Sequence, residues 1–175
     1  MVRMTERLQT LGEEIANSVS HGVALLAAIA SVPFLITSAS RLSVSSLVGA
    51  CVFAATMVLL YFTSTLYHAL PQGRAKRIFL KLDYSAIYLF IAGSYTPFTL
   101  GVLHTGPGVT LLVAVWAAAA FGVAIKLLNR LRHRLVSTGL YLAMGWLVLI
   151  AAVPLVRSMA LPGLVWLLAG GLAYT

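Results

Sequence analysis

The sequence predicts an all-α membrane protein, a multi-pass helical bundle that breaks off inside its sixth helix. Three observations carry this. Apolar residues make up 61% of the 175 residues and charged residues only 9%. A water-soluble domain carries about 25% charged residues, so there is too little polar surface here to cover a globule in water. Five apolar stretches reach the ~20 residues that a spanning helix needs. The Lys and Arg residues gather in alternate connections between those stretches, as membrane orientation requires.

The chain opens with a segment, 1–18, in which Leu8, Leu11, Ile15 and Val19 recur at helical spacing among Arg7, Glu13 and Glu14. That pattern predicts a short amphipathic helix on the inner membrane surface, running into the first span. No small-residue cleavage site precedes a soluble domain, so no cleavable signal peptide is expected. The transmembrane region is 19–175, with spans at 19–39, 43–70, 82–102, 108–128 and 135–156. A sixth apolar run occupies 160–175 and is incomplete as a span. Pro71-Gln72-Gly73 breaks the chain after the second span, and Gly106-Pro107-Gly108 makes the turn before the fourth. Pro97 is expected to kink the third.

Ten of the twelve basic residues fall on one side of this topology: Arg3 and Arg7, then Arg74, Lys76, Arg77 and Lys81, then Lys126, Arg130, Arg132 and Arg134. Only Arg41 and Arg157 fall on the other. The bias puts the N-terminus in the cytoplasm and the protein in the cell inner membrane. The net charge of +8 therefore reads as membrane orientation, and nucleic acid is not an expected partner. The expected partner is membrane lipid; the oligomeric state is open. Cys51, the single cysteine, excludes an intrachain disulfide and reads as a small packing residue.

Against this apolar background the polar residues stand out. Asp83 is the only acidic residue after Glu14 and sits about one turn inside the third span. A carboxylate there is costly in hydrocarbon, so it needs a partner or a function. Ser64 and His68 are four apart near the inner end of the second span, stacked on one face. Glu14, Asn17 and His21 form a similar stripe at the entry of the first. Three helices thus bring polar groups to one depth, the inner third of the membrane.

Neutral imidazole is the commonest metal ligand, and zinc favours nitrogen and sulfur. With no useful thiolate, a His-rich site is the available zinc site. A zinc-bound water ionises near neutral pH and attacks carbonyls, with Asp83 to orient it or accept its proton and Ser64 to hydrogen-bond the substrate oxygen. Plainer readings stand beside this one. His68 is equally a snorkelling interfacial residue, and Asp83 a structural ion-pair partner of Lys81, Arg77 or His68. Ser64 would ordinarily bond its own i−4 carbonyl. His104 and His133 read as solvated loop residues, and Trp116, Trp146 and Trp166 as packing or interface anchors.

Glu14-x-x-Asn17-x-x-x-His21, Ser64-Thr65-Leu66-Tyr67-His68, and Asp83-Tyr84-Ser85-Ala86-Ile87-Tyr88 followed by Gly93-Ser94-Tyr95-Thr96-Pro97-Phe98 together resemble the haemolysin III family. That family is the bacterial branch of the progestin and adiponectin receptor superfamily and is related to alkaline ceramidases. The resemblance covers essentially the whole chain. It implies a seven-helix scaffold, here truncated within the sixth helix, with zinc near the cytoplasmic face. It implies His68 as one zinc ligand and an HxxxH pair in a seventh helix as the others. Ser64 and Asp83 match family positions near the zinc or its water, and Glu14, Asn17 and His21 are candidates for the surrounding shell. No HxxxH occurs in this sequence. The function expected is a zinc-dependent, hydrolase-like protein acting on a lipid amide or ester from the cytoplasmic side, with catalytic Asp83 and Ser64. The alternatives are a membrane sensor or receptor with structural zinc, and a pore-forming or cytolytic protein.

Overall fold

The structure, a computed structural model, describes residues 9–103, 106–128 and 134–174. Among these residues there is no strand. The helices are α1 (Leu11–Ser40), α2 (Val44–Ala69), α3 (Arg74–Gly101), α4 (Gly106–Leu127), α5 (Arg134–Trp146), α6 (Ala152–Ser158) and α7 (Leu161–Tyr174). A 3₁₀ segment, Leu147–Ala151, joins α5 to α6. Leu8, His104 and His133 lie outside the described residues.

The helix ends follow local chemistry. Thr10 and Glu13 close a capping box on α1: the Glu13 amide donates to Thr10 Oγ1 (3.3 Å) and the Thr10 amide to Glu13 Oε2 (2.7 Å). From there α1 runs without a break through the entry region into the first span, and Leu11, Ile15, Val19 and Val23 all face outward. Ser43 caps α2 by accepting from the Ser46 amide at 3.0 Å. Helix α3 starts at Arg74, eight residues before the apolar run expected at Leu82. Arg, Ala, Lys and Leu between 74 and 82 are good helix formers, so hydropathy marks where hydrocarbon begins and not where the helix does.

Consecutive helices pack as neighbours from α1 through α4, and α3 is sandwiched between α2 and α4. Four segments, in α1, α2, α4 and 136–158, are long and apolar enough to cross a membrane. Helix α3 is the exception in hydropathy, yet it carries the largest set of buried residues among the helices. Lys76, Ser85, Thr96 and Thr99 among its polar residues are buried against protein. Tyr88, Ile91, Ala92 and Tyr95 of α3 form the core with Leu111, Val115 and Ala119 of α4 and with Met144, Ala151 and Leu155. Small residues set the spacing, as is usual where lipid supplies no hydrophobic drive between helices. A Cβ on Gly49 would come within 2.8 Å of Pro97 Cα, and one on Gly122 within 2.5 Å of the Tyr88 ring. Helix α3 continues through Pro97 to Gly101. Trp116 is an anchor with a bond of its own, donating Nε1–H to Thr96 Oγ1 at 3.1 Å; Trp146 and Trp166 are exposed.

The fifth expected span, 135–156, is not one helix: its α-helical pattern gives way to 3₁₀ at Leu147. The Tyr95 hydroxyl explains how that break survives in an apolar setting. It lies 2.8 and 2.6 Å from the Met144 and Gly145 carbonyls and accepts the Val148 amide at 3.0 Å. Backbone groups freed by a break must find such partners in hydrocarbon. Tyr95→Phe is therefore expected to destabilise the protein by about 2 kcal/mol, the penalty for stranding buried backbone groups. Unfolding in detergent micelles measures it; an unchanged midpoint would count against this account.

Candidate functional site

The start of α1, the end of α2 and the start of α3 meet at one end of the bundle. Their contact builds a polar cluster from side chains that hydropathy alone marks as misfits.

Glu14 sits at its centre. Its Oε2 accepts from His68 Nδ1 at 2.7 Å and its Oε1 from Lys76 Nζ at 2.9 Å, so one carboxylate joins three helices. The ammonium of Lys76 also donates to the carbonyls of Tyr67 (2.9 Å) and Leu70 (3.1 Å). The last carbonyls of a helix lack intrahelical donors, so Lys76 closes the C-terminus of α2 from outside it. It lies 4.8 Å from the Tyr67 ring centroid as well, a cation–π contact. The side chains of His68 and Lys76 are 8% and 7% exposed, and that of Glu14 is 13% exposed. The Glu14–Lys76 contact is thus a desolvated ion pair, unlike one at the surface.

A second strand of the cluster runs through Ser64. Its hydroxyl lies 2.6 Å from His21 Nδ1. Its neighbours Thr63 and Thr65 bond their own i−4 carbonyls, at 2.9 Å to Leu59 and 2.6 Å to Tyr61. Ser64 instead reaches across to α1. Asp83 of α3 faces Ser64 and is within electrostatic reach of His68 and His21. Among the described residues it forms no ion pair with Lys81 or Arg77. The two imidazoles lie close, with ring centroids 5.6 Å apart and planes at 72°.

The structure thus brings together Glu14, His21, Ser64, His68 and Asp83. Asn17 stays at the margin, half-buried, with no side-chain hydrogen bond among the described residues. Lys76 is the member that sequence reasoning counted only as a loop charge. The available signal was its spacing: seven residues before Asp83, two turns, on the same face of α3.

His68 is held as metal-ligating imidazoles commonly are. A carboxylate on Nδ1 fixes that nitrogen as the donor and leaves the lone pair on Nε2. The rest of a zinc site is not met. Among the described residues, no group of three His, Cys, Asp or Glu comes together to hold a metal ion. A catalytic zinc takes three protein ligands, so these residues alone do not complete one.

Fold and site together define a multi-pass α-helical membrane protein with a polar cluster buried at one end of its bundle. Residues 9–175 match the family described as "Haemolysin-III related". The chain is 43% identical over 167 residues to "Hemolysin-3 homolog" of Bacillus subtilis (strain 168), covering 95% of this chain and 78% of that protein. It is 40% identical over 174 residues to "Hemolysin-3" of Bacillus cereus, covering 99% and 80%. No solved structure matches it. The chain belongs to the haemolysin III family.

Proposed function

We propose that the cluster is the centre of a zinc-dependent, hydrolase-like activity on the amide or ester of a membrane lipid. The observation that supports this most is the tethered imidazole. His68 is fixed by Glu14, with Asp83 and Ser64 beside it in one partly buried cluster. His68 would furnish one zinc ligand, and the others would come from outside the described residues. Ser64 would hydrogen-bond the lipid carbonyl oxygen. Asp83 would accept a proton from the attacking water. Glu14 and Lys76 would hold the geometry. The bias of Arg and Lys, which puts the starts of α1 and α3 on the basic side, supports a cytoplasmic N-terminus in the inner membrane and access from the cytoplasmic leaflet.

The test is turnover of ceramide-like and other acyl lipids by the full-length protein, with and without chelator. Chelator is expected to abolish it. Asp83→Asn is expected to lower it by about 10²-fold or more, the usual scale of a general base. Turnover that survives both treatments would overturn the reading.

A cytolytic role is the second reading, favoured by the names of the two relatives. Its measurement is dye release from liposomes carrying the purified protein. The polar cluster stays at one end of α1–α3, so intact liposomes are the result expected here.

A further inference from the structure

A second feature lies outside the cluster, on the flank of the same end of the bundle. Arg74, Arg77 and Lys81 line an open groove of about 520 Å³ together with Ile78, Leu82 and Leu127, between the start of α3 and the end of α4. The three cations recur at i, i+3 and i+7 and so share one face of α3. Among the described residues, none of their side chains has a hydrogen bond or ion pair. The nearby carboxylates are directed elsewhere: Glu14 is bonded to His68 and Lys76, and Asp83 faces Ser64. Among the described residues, this face therefore meets no internal anion. Its apolar members are surface residues, with Ile78, Leu82 and Leu127 being 49%, 38% and 47% exposed.

Along α3 the groove reads Arg74, Arg77, Ile78, Lys81, Leu82, so cationic and apolar side chains alternate on one face. From Arg74 to Lys81 the helix rises about 10 Å, two turns. Guanidinium pairs suit phosphate by bidentate hydrogen bonding, and Lys81 adds a point charge. Basic pockets between membrane helices hold anionic headgroups in this way.

We propose that this groove binds one anionic phospholipid, its phosphate held by Arg74, Arg77 and Lys81 and an acyl chain laid along Ile78, Leu82 and Leu127. Charge complementarity and the exposed apolar side chains interleaved with the cations identify the occupant as an amphiphile. A free phosphate would leave the apolar half unfilled. The site is separate from the cluster around Glu14, so its failure would leave the hydrolase reading untouched.

The full chain, purified in neutral detergent, would be melted with phosphatidylglycerol, phosphatidylcholine or inorganic phosphate, and its retained lipid weighed by native mass spectrometry. Phosphatidylglycerol is expected to raise the midpoint and be retained selectively. Arg77→Gln and Lys81→Gln should each weaken its retention about fivefold, which is ~1 kcal/mol per basic side chain at an anionic surface. Arg157→Gln, in α6, should leave retention unchanged. Arg74→Gln, at the first turn of α3, serves as a further variant if either of these fails to fold, with elution and helicity as the check. Equal stabilisation by phosphatidylcholine would overturn the proposal, as would unchanged retention in the groove variants. Equal stabilisation by inorganic phosphate would overturn the lipid as the occupant.

Discussion

Lys76→Met is expected to destabilise the protein by about 3–5 kcal/mol, the cost of removing one partner from a buried charge pair. The replacement keeps the length of the side chain and removes only its charge and donors. Glu14 then holds a carboxylate with His68 as its one remaining partner, and the Tyr67 and Leu70 carbonyls lose their donor. Most of the loss lies in the stranded carboxylate. Glu14→Gln in the Lys76→Met background should therefore recover a large part of it. Unfolding in mixed micelles, followed by circular dichroism, measures both. A Lys76→Met midpoint close to the parent's, or a double variant no better than the single, would show that α1, α2 and α3 are not held through this contact.

Gly93→Ala and Gly49→Ala should each destabilise by about 1–3 kcal/mol, the usual cost of overpacking. The sign is the informative part. In a slack helix interior, alanine for glycine stabilises by up to about 1 kcal/mol. Here a Cβ on Gly93 would run into Thr56 Oγ1, and a Cβ on Gly49 would lie 2.8 Å from Pro97 Cα. The first obstacle is a side chain, so Thr56→Ala should relieve Gly93→Ala in part. The second is backbone, so no side-chain change relieves it. Gly139 and Gly170 have nothing within 4 Å of an added Cβ, and alanine there should be neutral or favourable. Stabilisation by Gly49→Ala would disprove the tight crossing. Because α2 carries Ser64 and His68 while α3 carries Lys76 and Asp83, the same variants should also loosen the cluster.

Much of the cluster was legible before any helix was placed. Asp83 was conspicuous because charge in a span is expensive, and Ser64 with His68 because spacing of four puts them on one face. Topology then set His21, Ser64, His68 and Asp83 at one depth. Partner choice was not legible. Lys81 and Arg77 are nearer to Asp83 in sequence than His68 is, yet Asp83 faces Ser64 and both histidines. Glu14 was legible as one member of a polar stripe, but not as the hub that joins three helices. Tyr95 looked like one aromatic among many and instead supports the broken helix at Leu147.

The sequence by itself determined the class of protein and the set of polar residues that stand out from its apolar segments. Those follow from the cost of exposing polar groups to hydrocarbon, which each segment meets alone. Tertiary structure decided which carboxylate holds His68, which cation closes α2 and where the fifth span breaks. Those depend on the rotation of each helix about its axis. In lipid that rotation is set by close approaches such as Gly49 to Pro97 and Gly93 to Thr56, contacts between residues far apart in the chain that no local pattern encodes.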